Sequence, residues 1–172
     1  KLNPGNEIFN HCIVNFKYNN QFYWVDPAVP MQGGNFMDLK TINYGKALII
    51  GLPSDSLQTM PPMKTDMPDD ILDEYTISSF TDPAKLKITS VRYGYEADNR
   101  RALVEYLTSK KLLELTMDDL KLQFPVVTKA DEIKVNDDTE KNIFTVTYNF
   151  NVAGFWQDGD KSTNEAAKAE EK

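Results

Sequence analysis

At 172 residues the chain can hold one sizeable domain or two small ones, and 41% hydrophobic with 11% aromatic residues mark it as globular rather than disordered. A formal charge of -7 without a Lys/Arg cluster argues against a nucleic-acid or anionic-membrane surface, and no apolar run reaches the roughly 18–20 residues of a membrane span. A single cysteine excludes an intrachain disulfide and leaves the compartment open.

The opening KLNPGNE has no initiator Met and no signal-peptide pattern; it reads as mid-chain loop, so the sequence is expected to be a piece of a longer protein. Two alternating runs, 11–18 and 21–26, flank Asn19-Asn20, a pair that tolerates the positive φ of a tight hairpin turn. The Pro/Gly-rich PAVPMQGGN comes next, and KALIIGL (46–52) is expected as a third strand closing the first block, 1–52. Residues 53–70, with four prolines and four acids and no periodicity, read as a linker.

The second block, 71–156, predicts strands at 74–80 and 85–93, then a helix from about Ala97 to Leu115. Ala97, Val104, Leu107 and Leu115 would supply its buried face, with Asp98 in the first turn and Lys110 and Lys111 in a later one. A shorter helix, 116–124, is expected to stop before Pro125, followed by strands at 131–136 and 142–152 around the polar DDTEK turn. In NIFTVTYNFNV, Phe144, Val146, Tyr148 and Phe150 share one face, and Ile143, Thr145, Thr147 and Asn149 the other. The order ββααββ predicts an α+β chain dominated by antiparallel sheet, and the charged tail 157–172 is expected to be disordered.

The hairpin is where chemistry concentrates. An even loop centred on Asn19-Asn20 makes facing residue numbers sum to 39, so Asn15 faces Trp24, Lys17 faces Phe22 and Ile13 faces Asp26. His11, the only histidine, then shares a face with Ile13 and lies diagonal to Asp26, within reach of it. The other face, with Cys12, Val14, Phe16, Tyr18, Tyr23 and Val25, is almost wholly apolar and is expected to pack into the core, which makes Cys12 a buried hydrophobe rather than a thiol paired with His11. By spacing alone, His11 and Asp26 could equally be a hydrogen-bonded histidine and a turn-starting aspartate.

Other constellations have plainer readings. Met60, Met63 and Met67 could bind a soft metal but fit linker composition better; Asn136, Asp137, Asp138 and Glu140 lack the glycine and spacing of a calcium loop; QGGN (32–35) lacks the GK[ST] of a phosphate loop. No metal or cofactor is expected.

The segment FNHCIVNFKYNNQFYWVDP (9–27) resembles the His-Asp portion of bacterial transglutaminase-like proteins, where FNH and a downstream YWLDP or YWVDP carry two members of a Cys-His-Asp triad. MQGGNF and INYGKALII are similar to the continuation of that core in multidomain members with flanking domains of unknown function. VRYGYEADNRRALVEY, QFPVV and NDDTEKNIFTVTYNFNVAGFW look like the region after it. One departure is VDPAV, where Thr or Ser often comes after the DP pair. The resemblance makes 1–52 the C-terminal portion of the core and 71–156 a β-rich accessory domain. It implies that His11 is the general base, that Asp26 orients it, and that Asn10 and Trp24 stand around them as supporting or substrate-wall residues. The family's nucleophilic Cys lies upstream, at a helix start; the ten residues before His11 contain none, so the isolated chain is expected to be inactive.

The resemblance therefore implies thiol-dependent acyl transfer in the parent, as a peptidase or amidase or as a crosslinking enzyme, on a protein or peptide substrate. A non-catalytic scaffold binding protein or polysaccharide at the cell envelope is the competing expectation. The resemblance also implies a periplasmic, cell-surface or secreted location. A sheet edge left exposed would allow self-association.

Overall fold

The computed structural model describes residues 9, 11–37, 39, 41–51, 56–61 and 69–154. Asn10, Met63, Met67 and the tail 157–172 lie outside them. The fold is α+β and mostly antiparallel. In chain order the described residues form β1 (Val14–Tyr18), β2 (Gln21–Val25), β3 (Lys46–Ala47), β4 (Gln58–Thr59), β5 (Asp70–Thr76), β6 (Ala84–Tyr93), α1 (Gly94–Tyr106), α2 (Ser109–Leu120), β7 (Val126–Lys129), β8 (Lys134–Asp138) and β9 (Ile143–Ala153). β1 pairs with β2, β3 with β4, and the larger sheet runs β5-β6-β9-β7 with β8 also on β9. No described helix is long and apolar enough to cross a membrane.

Two compact units divide the chain. The first comprises the described parts of 1–70, 91–106 and 136–145, and the second those of 71–90, 107–135 and 146–172. In the first, Asn19 (φ 45°) and Asn20 (φ 63°) make the two-residue turn, and the register obeys the sum of 39, with Asn15 opposite Trp24 and Lys17 opposite Phe22. Among the described residues the expected strand over 46–52 is confined to β3, where Lys46 and Ala47 find backbone partners; Leu52 lies outside the described residues. Those partners, Thr59 and Gln58, lie within the stretch expected to be a linker, where Met60 is buried and its N–H donates to the Gly45 carbonyl at 3.0 Å.

The hairpin's second face departs from expectation. Val14 and Tyr18 are 48% and 46% exposed and Cys12 is exposed, with one ring, Phe36, lying 5.4–6.1 Å from Phe16, Tyr18 and Tyr23. Alternation holds only where a ladder enforces it; β1 starts at Val14, so residues 11–13 are outside the pairing and Cys12 does not inherit a buried position.

The second unit is held by apolar burial. Leu86 of β6 and Val146, Tyr148, Phe150 and Val152 of β9 are buried, the alternating pattern of β9 being as the sequence predicts. The helical region breaks at 107–108 rather than 115–116, since Thr108 acts as N-cap, its side chain accepting from the Lys111 N–H at 3.2 Å. α2 buries Leu112, Leu113 and Leu120, leaves Leu115 exposed, and carries Lys110 and Lys111 in its first turn, the end of the helix dipole that disfavours cations. β7, not expected from sequence, pairs Val127 with Val152.

Candidate functional site

In the first unit the chain leaves β2 at Val25 and turns at Asp26-Pro27, bringing the aspartate against the residues just before β1. His11 Nε2 lies 2.6 Å from Asp26 Oδ2. The carboxylate is 3% exposed while the His11 side chain is 34% exposed, so the pair has one buried and one accessible end. Tyr44, which nothing in the sequence pattern singles out, donates its hydroxyl to the same Oδ2 at 2.8 Å and sets its ring 4.9 Å from the imidazole. The Ala28 N–H donates to Oδ1 at 3.0 Å. Burial works to raise the Asp26 pKa, but donation from His11, Tyr44 and Ala28 outweighs it and holds the carboxyl below its ordinary value. Conversely, burial and the Asp26 charge push the Tyr44 phenol up to about 12.

An ionised carboxylate only accepts hydrogen bonds, so the imidazole nitrogen facing it carries the proton. In neutral His11 that nitrogen is Nε2, which leaves the Nδ1 lone pair free to take a proton from a substrate or a nucleophile. This is the arrangement a general base requires.

The loop carrying Asp26 is itself anchored. Gln32 Nε2 donates to the carbonyls of Asp26 at 2.5 Å and Val29 at 2.9 Å. Next to it, the Gly33 N–H donates to Asp98 Oδ1 at 2.9 Å and Arg101 Nη1 to the Met31 carbonyl at 2.6 Å, so α1 grips the loop by two adjoining backbone groups. Arg101 also forks onto Asp137 at 2.8 and 2.9 Å and bonds Asp98 at 3.1 Å. Asn142 Nδ2 joins Asp98 at 2.9 Å and the Gly94 carbonyl at 3.1 Å. Burial raises the Asp98 pKa even though Gly33, Asn142 and Arg101 all pull it down. QGGN is therefore a docking loop: a Cβ on Gly33 would fall 2.8 Å from Asn142 Oδ1 and 3.0 Å from the Thr139 carbonyl. The sequence signal available was the Gly-Gly pair, and its partner, Asp98, read only as a first-turn helix acid.

Trp24 is half-buried, its carbonyl accepting from Thr41 Oγ1 at 2.5 Å, and with His11 it lines a groove of about 680 Å³. Cys12 lines the same groove, yet no hydrogen bond joins it to His11 among the described residues. Asn10 is outside the described residues. No group of His, Cys, Asp and Glu among the described residues could hold a metal ion. Comparison with known proteins returned no match to a family model, a curated protein or a solved structure.

Proposed function

We propose that this chain supplies the base and the orienting carboxylate of a thiol-dependent acyl transfer site, completed in the parent protein by a cysteine N-terminal to this segment. The observation that carries the reading is the 2.6 Å contact between a buried, ionised Asp26 and a half-exposed His11 at the wall of a groove. In such a site His11 accepts the thiol proton, and the sulfur attacks an amide carbonyl carbon to form a C–S bond. The C–N bond then breaks, the departing amine takes the proton from His11, and an acyl thioester remains. Water or a second amine, giving its proton to His11, attacks the thioester; the C–S bond breaks and the thiol is regenerated. Asp26 stays ionised throughout, fixing the tautomer and stabilising the imidazolium. Water as acceptor makes the parent a peptidase or amidase, and an amine makes it a crosslinking enzyme.

Thiol labelling of the longer parent with a mild electrophile at neutral pH, mapped by mass spectrometry, tests this. Because Cys12 is exposed, it is replaced by Ser beforehand. Fast modification of an upstream cysteine that slows in His11→Ala supports the activated pair. Slow labelling indifferent to His11 favours the envelope-scaffold reading, with His11 and Asp26 as structural partners.

Self-association would use β5, which ends the strand order of its sheet and has all seven residues exposed. Light scattering over a concentration series tests it, and a monomer throughout removes the idea.

A further inference from the structure

The groove beside His11 is lopsided in its chemistry. Its lining is mostly apolar, with Leu48, Ile49, Ile50 and Met60 among its residues, and Ile50 is 89% exposed. Among the described residues no carboxylate lines it, although the chain as a whole has a formal charge of -7. The described lining carries one cationic side chain, Lys46, which forms no ion pair among the described residues. Lys87, Lys121, Lys129 and Lys141 take carboxylate partners, whereas Lys17, Lys85 and Lys134, like Lys46, form no ion pair among the described residues; what sets Lys46 apart is its place in the groove lining. The nearby acid Asp26 is already committed to His11, Tyr44 and the Ala28 N–H.

We infer that the groove takes, as acyl donor, a short peptide or amide presenting apolar side chains and a free carboxylate. The apolar part lies along Leu48–Ile50 and Met60, and the carboxylate pairs with Lys46. The inference rests on the acyl-transfer reading of His11 and Asp26 and adds the substrate class to it. Size agrees: about 680 Å³ is within the range of small-ligand sites, roughly 300–1,000 Å³. Position agrees as well, because Lys46 pairs through its backbone in β3, two residues after Tyr44, which touches both His11 and Asp26. An anion on Lys46 is thereby held near the candidate base without touching it. Lys46 is a specificity residue here and takes no part in proton transfer.

The test is calorimetric titration of the chain at low ionic strength with carbobenzoxy-leucyl-leucine and, separately, its C-terminal carboxamide. Binding requires no nucleophile, so the chain can be used as it stands. The acid is expected to bind about fivefold more tightly than the amide, the order of an accessible ion pair, and the preference should fade as salt is added. In Lys46→Met, which keeps the apolar stem and removes the charge, the two peptides should bind equally and at the amide's affinity. Carbobenzoxy-glycyl-glycine should bind more weakly than the leucyl peptide in both proteins, reporting the apolar lining. Equal binding of acid and amide to the unaltered chain, an acid preference that survives in Lys46→Met, or no binding of either leucyl peptide overturns the inference. Those failures are separable from failure of the acyl-transfer reading, since thiol labelling of the parent reports the Cys–His pair whether or not these peptides bind.

Discussion

The two units bury different things. In the second, the buried side chains are overwhelmingly apolar, with Leu86, Val146, Phe150 and Val152 the largest of those fully enclosed. Among the described residues of the first, Asp26, Asp98, Arg101 and Asn142 are buried, and the buried apolar residues with them are Met60, Ala97 and Phe144. Apolar burial stabilises in proportion to area and is indifferent to direction. A buried hydrogen-bonded network adds little net stability, because desolvating its charges offsets most of the attraction, but it fixes atoms at defined distances. The candidate site belongs to the unit built the second way. Geometry at Asp26 is thus maintained by polar contacts reaching back through Gln32 and Gly33 to α1.

The contrast can be broken most forcefully from the apolar side. Phe150→Ala should destabilise the second unit by about 3–5 kcal/mol, the usual cost of emptying a large aromatic site. Hydrogen exchange, resolved along the sequence, should show protection lost first across β6, β7 and β9. Equal loss around Asp26 would mean that the units do not differ as described.

Arg101→Ala is the counterpart in the first unit. It leaves Asp98 buried without its cation, a change that costs about 3 kcal/mol or more. Exchange protection should fall at 31–34 and 94–101 before it falls in β9. A smaller effect is expected from Gly33→Ala, about 1–3 kcal/mol, because Asn142 and the Thr139 carbonyl must give way. Its informative readout is the Tyr44 titration, since displacing the loop displaces Asp26.

The mildest substitution, Tyr44→Phe, removes one hydrogen bond to a carboxylate and should cost about 1.5 kcal/mol at neutral pH. Its pH dependence has a defined sign. The Tyr44 value is raised, so the contribution of the neutral phenol is complete below its ordinary value near 10 and disappears as pH rises through about 12. Ultraviolet titration of the chain against Tyr44→Phe should isolate that midpoint. The Asp26 value is lowered, so its contribution is complete above about 4 and disappears as pH falls through the folded value. Melting temperatures of the chain and of Asp26→Asn should therefore converge only below about pH 4.

Much of the scaffold was legible because local chemistry determined it. The Asn19-Asn20 pair pins the turn and the turn pins the register of Val14–Tyr18 on Gln21–Val25, which brings the two strand ends together; the His11–Asp26 contact forms just past that ladder. The alternation of β9 was legible for the same reason, since a buried face demands period two. What escaped the sequence depended on partners distant in the chain. Tyr44 matters because it meets Asp26, and Asp98 because it meets Gly33, 65 positions away. The helix break had a local signal, Thr108-Ser109, that was masked by a longer apolar periodicity running through Val104, Leu107 and Leu115. Cys12 escaped because alternation was carried two residues past the ladder that enforces it.

The central claim is that Asp26 holds His11 as the Nε2–H tautomer, poised to accept a proton at Nδ1. As His11 is the only histidine, nitrogen-15 labelling of the imidazole gives a signal free of overlap. The predicted result is a hydrogen-bonded, slowly exchanging Nε2–H proton in the neutral ring, lost in Asp26→Ala. A rapidly exchanging ring whose spectrum is unchanged by Asp26→Ala, or a ring protonated at Nδ1, would contradict it.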